Sequence, residues 1–186
     1  MKILTTPIPG VLVIAPRVLH DARGAFHESF HLDRYRDAGI IGPFVQDNLS
    51  TSHRGVVRGL HFQKPDKQGK LVAVAFGVLF DVVADVRLGS PTFGTWFGCE
   101  LSHDSAEQIY LPPGCAHGFQ ALSDVVVLSY KCDAYYSAAT EHAIRWDDPD
   151  LGIAWPVAQP SLSERDRAAE SLSALRDRGE LPEFRP

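Results

Sequence analysis

Short apolar runs rich in Val, Ile, Leu, Phe and Tyr recur along the chain, cut by Gly, Pro, Asp and Ser. Those at residues 11–15, 25–30, 44–50, 56–62, 71–76, 79–86, 95–101, 108–111, 118–121 and 125–132 have the length and residue types of strands. Turn-forming residues separate them: Asp21-Ala22-Arg23-Gly24, Gly42-Pro43, Pro65-Asp66, Gly89-Ser90-Pro91 and Pro112-Pro113-Gly114. Short strands that do not alternate with long helices predict an all-β jelly-roll barrel or sandwich, not a parallel α/β sheet. Two helices accompany them. One covers residues 31–38 and stops at Gly39, a residue suited to the left-handed turn that ends helices. The other starts at Ser163, carries Glu164 and Asp166 in its first turn, and runs to Arg178 before Gly179. Ala168, Leu172 and Leu175 form its apolar stripe. No repeat or linker divides the chain, so residues 1–186 read as one domain with a C-terminal helical tail over 163–180.

Polar residues interrupt this pattern where apolar ones are expected, and they carry the functional signal. In Val56-Val57-Arg58-Gly59-Leu60-His61-Phe62-Gln63, strict alternation puts Arg58 with Leu60 and Phe62, and His61 with Val57. Arg58 and His61 share a face only if the alternation slips, and Gly59 is the residue that permits a bulge. Otherwise Arg58 points to solvent and His61 is a hydrogen-bonded core histidine. Gln46 and Asn48 share a face with Phe44; Asp81 and Asp85 share one with Leu79 and Val83; Tyr130 follows Val126 and Leu128; Glu28 lies between Phe26 and Phe30. So many polar groups on apolar strands predict a polar-lined cavity and a small-molecule ligand.

Composition narrows the class. Eighteen Lys and Arg against 23 Asp and Glu give a formal charge of −5, and no basic run is present, which argues against nucleic acid. The apolar stretch 71–80 is too short to span a bilayer, and Pro7 and Pro9 break any apolar leader. Three cysteines, Cys99, Cys115 and Cys132, with no C-x-x-C spacing, read as buried apolar side chains of a cytoplasmic protein. Pro112-Pro113-Gly114-Cys115-Ala116-His117 has the P-x-G-x-x-H spacing of a metal motif of cupin barrels, but the other motif reads only His61-Phe62-Gln63. One histidine there is not a ligand set, so no metal is expected.

Taken together and in order, these segments resemble the dTDP-4-dehydrorhamnose 3,5-epimerase family, cupin-like jelly rolls of nucleotide-sugar metabolism. The resemblance rests on residues 21–30, Gln46-Asp47-Asn48, residues 57–63, Lys70-Leu71-Val72, Asp81, Asp85-Val86-Arg87, residues 112–119, Tyr130, Tyr135-Tyr136, Glu141 and Gly152-Ile153-Ala154-Trp155-Pro156. It implies C3 and C5 epimerisation of dTDP-4-dehydro-6-deoxy-D-glucose without metal or organic cofactor, in a homodimer whose sites are partly completed by the neighbouring chain. It also implies His61 as general base, Tyr130 as acid, Lys70 and Arg58 near the C4 ketone, and Asp166 orienting His61. Arg23, Phe26, Glu28, Gln46, Asn48, His117, Glu141 and Arg165 match positions that hold nucleotide, diphosphate or sugar. The chemistry is consistent: removing a proton beside a ketone needs a base near neutral pKa, a donor on the far face, and cations for the enolate. Arg165 stands where the family usually has lysine, which changes the hydrogen-bond geometry there. Asp166 reads equally as a helix-capping carboxylate. Alternatives from other classes are a C3-only epimerase, a metal-dependent cupin enzyme and a sugar-binding module without chemistry.

Overall fold

Two antiparallel sheets packed face to face realise the strand pattern. The computed structural model describes residues 1–40, 42–65 and 68–185, so the turn expected at Pro65-Asp66 lies partly outside the described residues. The first sheet has six strands in the order β1 (Lys2–Thr5), β2 (Leu12–Ala15), β10 (Gln108–Leu111), β7 (Lys70–Phe76), β12 (Val125–Cys132) and β5 (Gln46–His53). The second has five: β13 (Glu141–Ala143), β6 (Val57–Gln63), β11 (Cys115–Ala121), β8 (Val78–Asp85) and β9 (Trp96–Ser102). A separate hairpin joins β3 (Leu19–Asp21) to β4 (Gly24–Phe26). The architecture is thus the sandwich form of the expected jelly roll, with no closed barrel.

All ten expected strands have a counterpart, and β1, β3 and β13 are additional. The run at 25–30 is a strand only through Phe26, because Glu28 turns outward to pair with Arg34. The N-terminal helix is α1 (Leu32–Asp37), followed by Gly39 at φ +84°. The C-terminal tail differs from expectation. It is two short helices, α2 (Glu164–Arg167) and α3 (Leu172–Asp177), not one. Glu170 between them bridges Ile144, and Ser171 caps α3 by accepting from Ala174 N–H. Ala168 therefore ends α2 exposed, and only Leu172 and Leu175 of the expected stripe are buried.

Three apolar clusters hold the layers. Between the sheets, Val72, Val74, Leu79, Val83, Leu101, Ile109, Phe119, Val126 and Leu128 form the main core. On the outer face of the five-stranded sheet, Leu60, Phe62, Val82, Ala84 and Ala116 are covered by Leu151, Leu172, Leu175 and Leu181. That second cover explains why β8 reads as an almost unbroken apolar run: both its faces are buried. Each fully buried Leu or Phe contributes about 1.5–3 kcal/mol. On the outer face of the six-stranded sheet, Tyr35 and Ile40 pack over Ile14, Leu71 and Tyr110. The cysteines behave as apolar groups: Cys115 and Cys132 are buried, Cys99 is half-buried, and burial raises their thiols to about 12, 11 and 12 respectively. No helix among the described residues is long and apolar enough to cross a membrane.

Asp85 builds the turn after β8. Fully buried, it accepts from Arg87 Nε (2.7 Å) and Nη2 (2.8 Å), Ser90 Oγ (2.6 Å) and Thr92 Oγ1 (2.7 Å). Burial alone raises a carboxyl pKa, but these donors outweigh it and hold Asp85 below the ordinary value. A carboxylate depressed in the folded state stabilises above its unfolded pKa and loses that contribution as pH falls through the folded value. Replacing Asp85 by Asn leaves Arg87 buried without its counter-charge and should cost about 3–5 kcal/mol, roughly 6–20 °C in Tm. Calorimetry at pH 5–7 checks the loss, and the gap to wild type should narrow below pH 3.8.

Candidate active site

The site begins with a slip in one ladder. β6 and β11 pair His61 with His117 but Arg58 with Phe119, so three steps on β6 face two on β11. The extra residue carries Arg58 and His61 onto the same side of the strand, and both line one cavity. Gly59 is required there. It sits at φ +119°, and a Cβ on it would lie 2.6 Å from Gly118 Cα and 2.7 Å from the His117 carbonyl oxygen. Gly118 is the matching constraint, since its Cβ would meet the Arg58 carbonyl oxygen at 2.8 Å.

The cavity has a volume of about 610 Å³ and opens between the two sheets. The six-stranded sheet supplies Gln46, Asn48, Lys70 and Tyr130; the five-stranded sheet supplies Arg58, His61, His117 and Glu141; Arg165 and Asp166 arrive from α2. His61 and Tyr130 thus stand on opposite walls. A volume of this order suits a small organic ligand.

Charge is concentrated at a few contacts. His61 Nε2 lies 2.6 Å from Asp166 Oδ1. Asp166 is placed by the α2 cap, because its N–H donates to Ser163 Oγ at 3.0 Å. Burial works against its charge, but hydrogen bonds from His61 and Ser163 hold its pKa below the usual carboxylate value. Of the two readings of Asp166, the structure favours the bond to His61. Burial lowers the Lys70 pKa, opposed by Cys132, Glu141 and Asp81 nearby. Burial and negative neighbours raise the Tyr130 phenol, which keeps its proton at neutral pH. Arg58 donates from Nε to Ser52 Oγ (3.0 Å) and from Nη2 to the Thr51 carbonyl (3.1 Å). At the mouth, Gln46 Nε2 donates to Asn48 Oδ1 and Gln46 Oε1 accepts from Tyr136 N–H, each at 2.9 Å. The Tyr136 hydroxyl and Arg165 both donate to Glu141 Oε2.

Ten of the thirteen expected residues meet in this cavity: His61, Tyr130, Lys70, Asp166, Gln46, Asn48, Arg58, His117, Glu141 and Arg165. Arg23, Phe26 and Glu28 do not. Arg23 and Phe26 belong to the β3–β4 hairpin and border a separate hollow. Arg23 is paired with Asp21 at 2.5 Å, and Phe26 is 69% exposed. Glu28 is engaged by Arg34. Sequence reasoning gave no role to Asp81, which accepts from His117 Nε2 at 2.8 Å, although a carboxylate inside so apolar a strand was the available signal. Among the described residues no group of three or more His, Cys, Asp or Glu is disposed to hold a metal ion.

Residues 5–174 match the family model of dTDP-4-dehydrorhamnose 3,5-epimerase. The chain belongs to that family. It is 46% identical over 177 residues to the dTDP-4-dehydrorhamnose 3,5-epimerase of Salmonella typhimurium, covering 92% of this chain and 96% of that one. A solved 3,5-epimerase from Legionella pneumophila, in complex with dTDP-4-keto-L-rhamnose, superposes with a TM-score of 0.95 at 45% identity, covering 100% of this chain and 99% of that one. A dTDP-4-dehydrorhamnose 3-epimerase from Streptomyces niveus is 44% identical over 186 residues, covering 99% of this chain and 90% of its own length.

For this epimerase-family chain the slip at Gly59 is the most exposed structural requirement. Gly59→Ala should destabilise by about 2 kcal/mol or more, through both the positive φ and the clash with Gly118. It should also abolish turnover, because His61 and Arg58 lose their common face. Thermal unfolding and a nucleotide-sugar assay read the two effects separately.

Proposed function

We propose that the chain is a cofactor-independent isomerase that inverts C3 and C5 of dTDP-4-dehydro-6-deoxy-D-glucose to give dTDP-4-dehydro-L-rhamnose. The observation that carries this reading is an imidazole and a protonated phenol on opposite walls of one cavity, the imidazole already bound to a carboxylate. Inversion beside a ketone needs such an arrangement. A base takes the proton from one face of the ring, and a donor returns one to the other.

In this reading Asp166 keeps the Nε2 proton of His61 in place and leaves Nδ1 to accept the C3 proton. The C3–H electron pair moves into the C3–C4 bond, and the C4 carbonyl becomes an enolate oxygen. The Lys70 ammonium and the Arg58 guanidinium stabilise that oxygen as charge develops. Tyr130 then gives its phenolic proton to C3 from the opposite side as the carbonyl re-forms. Solvent exchange resets His61 and Tyr130, and the same steps run at C5. Positioned acid and base groups typically contribute about 10²–10⁴-fold each. Gln46, Asn48, His117, Glu141 and Arg165 are suited to the sugar and the nucleotide.

The whole chain acts as one domain here, since Asp166 reaches His61 from the C-terminal region. Arg23, Phe26 and Glu28 enter the reading through a homodimer. The exposed hairpin carrying Arg23 and Phe26, with Glu28 just beyond it, would lean over the neighbouring chain's cavity, where an arginine meets a diphosphate and an aromatic ring meets a base. Three unpaired, buried or half-buried cysteines fit a cytoplasmic setting. A second reading, inversion at C3 alone, is favoured by the likeness to the Streptomyces niveus 3-epimerase.

Turnover of synthetic dTDP-4-dehydro-6-deoxy-D-glucose in deuterium oxide separates these readings by NMR. Deuterium at both C3 and C5 is expected, and label at C3 alone would establish the second. His61→Asn should abolish exchange, whereas Tyr130→Phe should retain proton removal but lose inversion. Full turnover by His61→Asn would overturn the assignment of the base. Asp166→Asn should lower kcat by roughly 10²–10⁴-fold with little change in KM, measured in the steady state, because it frees the His61 ring to adopt the wrong tautomer.

A further inference from the structure

β8 carries two equally buried carboxylates on one strand face, Asp81 and Asp85. Asp85 is surrounded by donors from Arg87, Ser90 and Thr92. Asp81 is not. Its Oδ2 accepts from His117 Nε2 at 2.8 Å, while its Oδ1 is buried with no hydrogen-bond partner among the described residues. A buried carboxylate with one bare oxygen is costlier than an apolar side chain of the same shape. Stability therefore does not account for Asp81, whereas a requirement placed on His117 does.

His117 is the ladder partner of His61 and lines the same cavity. The two rings stand side by side on adjacent strands, each engaging a buried carboxylate through Nε2. A carboxylate at Nε2 keeps the proton on that nitrogen and leaves Nδ1 with a lone pair. Lys70, Arg58 and Tyr130 face the cavity as donors, while the acceptor oxygens of Gln46, Asn48 and Glu141 are already engaged by Tyr136 N–H, by Gln46, and by the Tyr136 hydroxyl with Arg165. A ketone oxygen is served by those donors, but a sugar hydroxyl also needs an acceptor.

We infer that Asp81 is a positioning residue of this site: through Nε2 it fixes the tautomer and plane of His117, so that Nδ1 accepts a hydrogen bond from a hydroxyl of the sugar. The inference rests on the epimerase reading for the identity of the ligand, but not for the hold of Asp81 on His117.

The test joins a spectroscopic and a kinetic measurement. In protein with ¹⁵N-labelled histidine at pH 8, His117 should be protonated at Nε2. Asp81→Asn, whose amide can donate to Nε2, should shift the proton to Nδ1. It should also lower kcat/KM about 10- to 100-fold. In a His117→Gln background the same change should add no further loss, since Asp81 acts through that ring. The inference is overturned by Nδ1-protonated His117 in the wild type, by kcat/KM within twofold of wild type in a folded Asp81→Asn variant, or by a full additional loss on the His117→Gln background. The wild-type tautomer decides the matter even if Asp81→Asn does not fold. Wild-type protein that incorporates no deuterium into the keto-sugar would refute the epimerase reading separately.

Discussion

The close approach of two glycines determines what this sandwich can do. Gly59 on β6 and Gly118 on β11 let the two backbones come nearer than any Cβ would permit. That contact accommodates an extra residue in β6, and the extra residue turns Arg58 and His61 to one side. A regular strand would send one of them outward. The site is therefore a property of backbone packing before it is a property of side chains. The residues beyond the slip, Leu60 and Phe62, still pack into the outer cluster under Leu172 and Leu175, so the strand gains its polar face without losing its apolar one.

Four buried aspartates among the described residues divide the remaining work. Asp85 closes the turn after β8 around Arg87. Asp148 accepts from Leu151 N–H at 3.2 Å and from Leu172 N–H at 2.8 Å, tying an irregular segment to the start of α3. Both are surrounded by donors and serve the fold. Asp81 and Asp166 instead each meet a histidine that lines the cavity. Asp166 depends on the C-terminal helices being docked, because the Ser163 cap and the apolar cover of α3 set its place. The outer cluster thus stabilises the element whose Asp166 meets His61, which links packing on one face of the sheet to the cavity on the other.

The positions of the strands along the chain and the polar wall of the cavity were legible in the sequence because alternation reports burial directly. Gln46 and Asn48 on β5, and Leu128 with Tyr130 on β12, follow it without exception. The slip at Gly59 was legible only as a possibility, since glycine permits a bulge without requiring one. The break between α2 and α3 was hidden: residues 163–178 have the composition of a single helix, and it is the Ile144–Glu170 bridge, a long-range contact, that interrupts them. Arg23, Phe26 and Glu28 could be matched in order but not located, because the exposed hairpin of Arg23 and Phe26, and Glu28 just after it, give no burial pattern to read. The Asp81–His117 pair escaped for a related reason, since a buried polar residue announces itself in sequence but its partner 36 residues away does not.

The opposition of His61 and Tyr130 follows from topology. A sandwich has two inner faces, and a cavity between them has walls built from separate sheets. A group from β6 and one from β12 therefore enter that cavity from different sheets. An inversion requires proton removal and return on opposite faces, and a ring lying parallel to the sheets would meet the two groups in that way. Arg165 and the Tyr136 hydroxyl converge on Glu141, while Lys70 and Arg58 line the same cavity as the imidazole and the phenol. Burial lowers the Lys70 pKa, and a cation in so desolvated a setting stabilises a nearby anion more than it would in water.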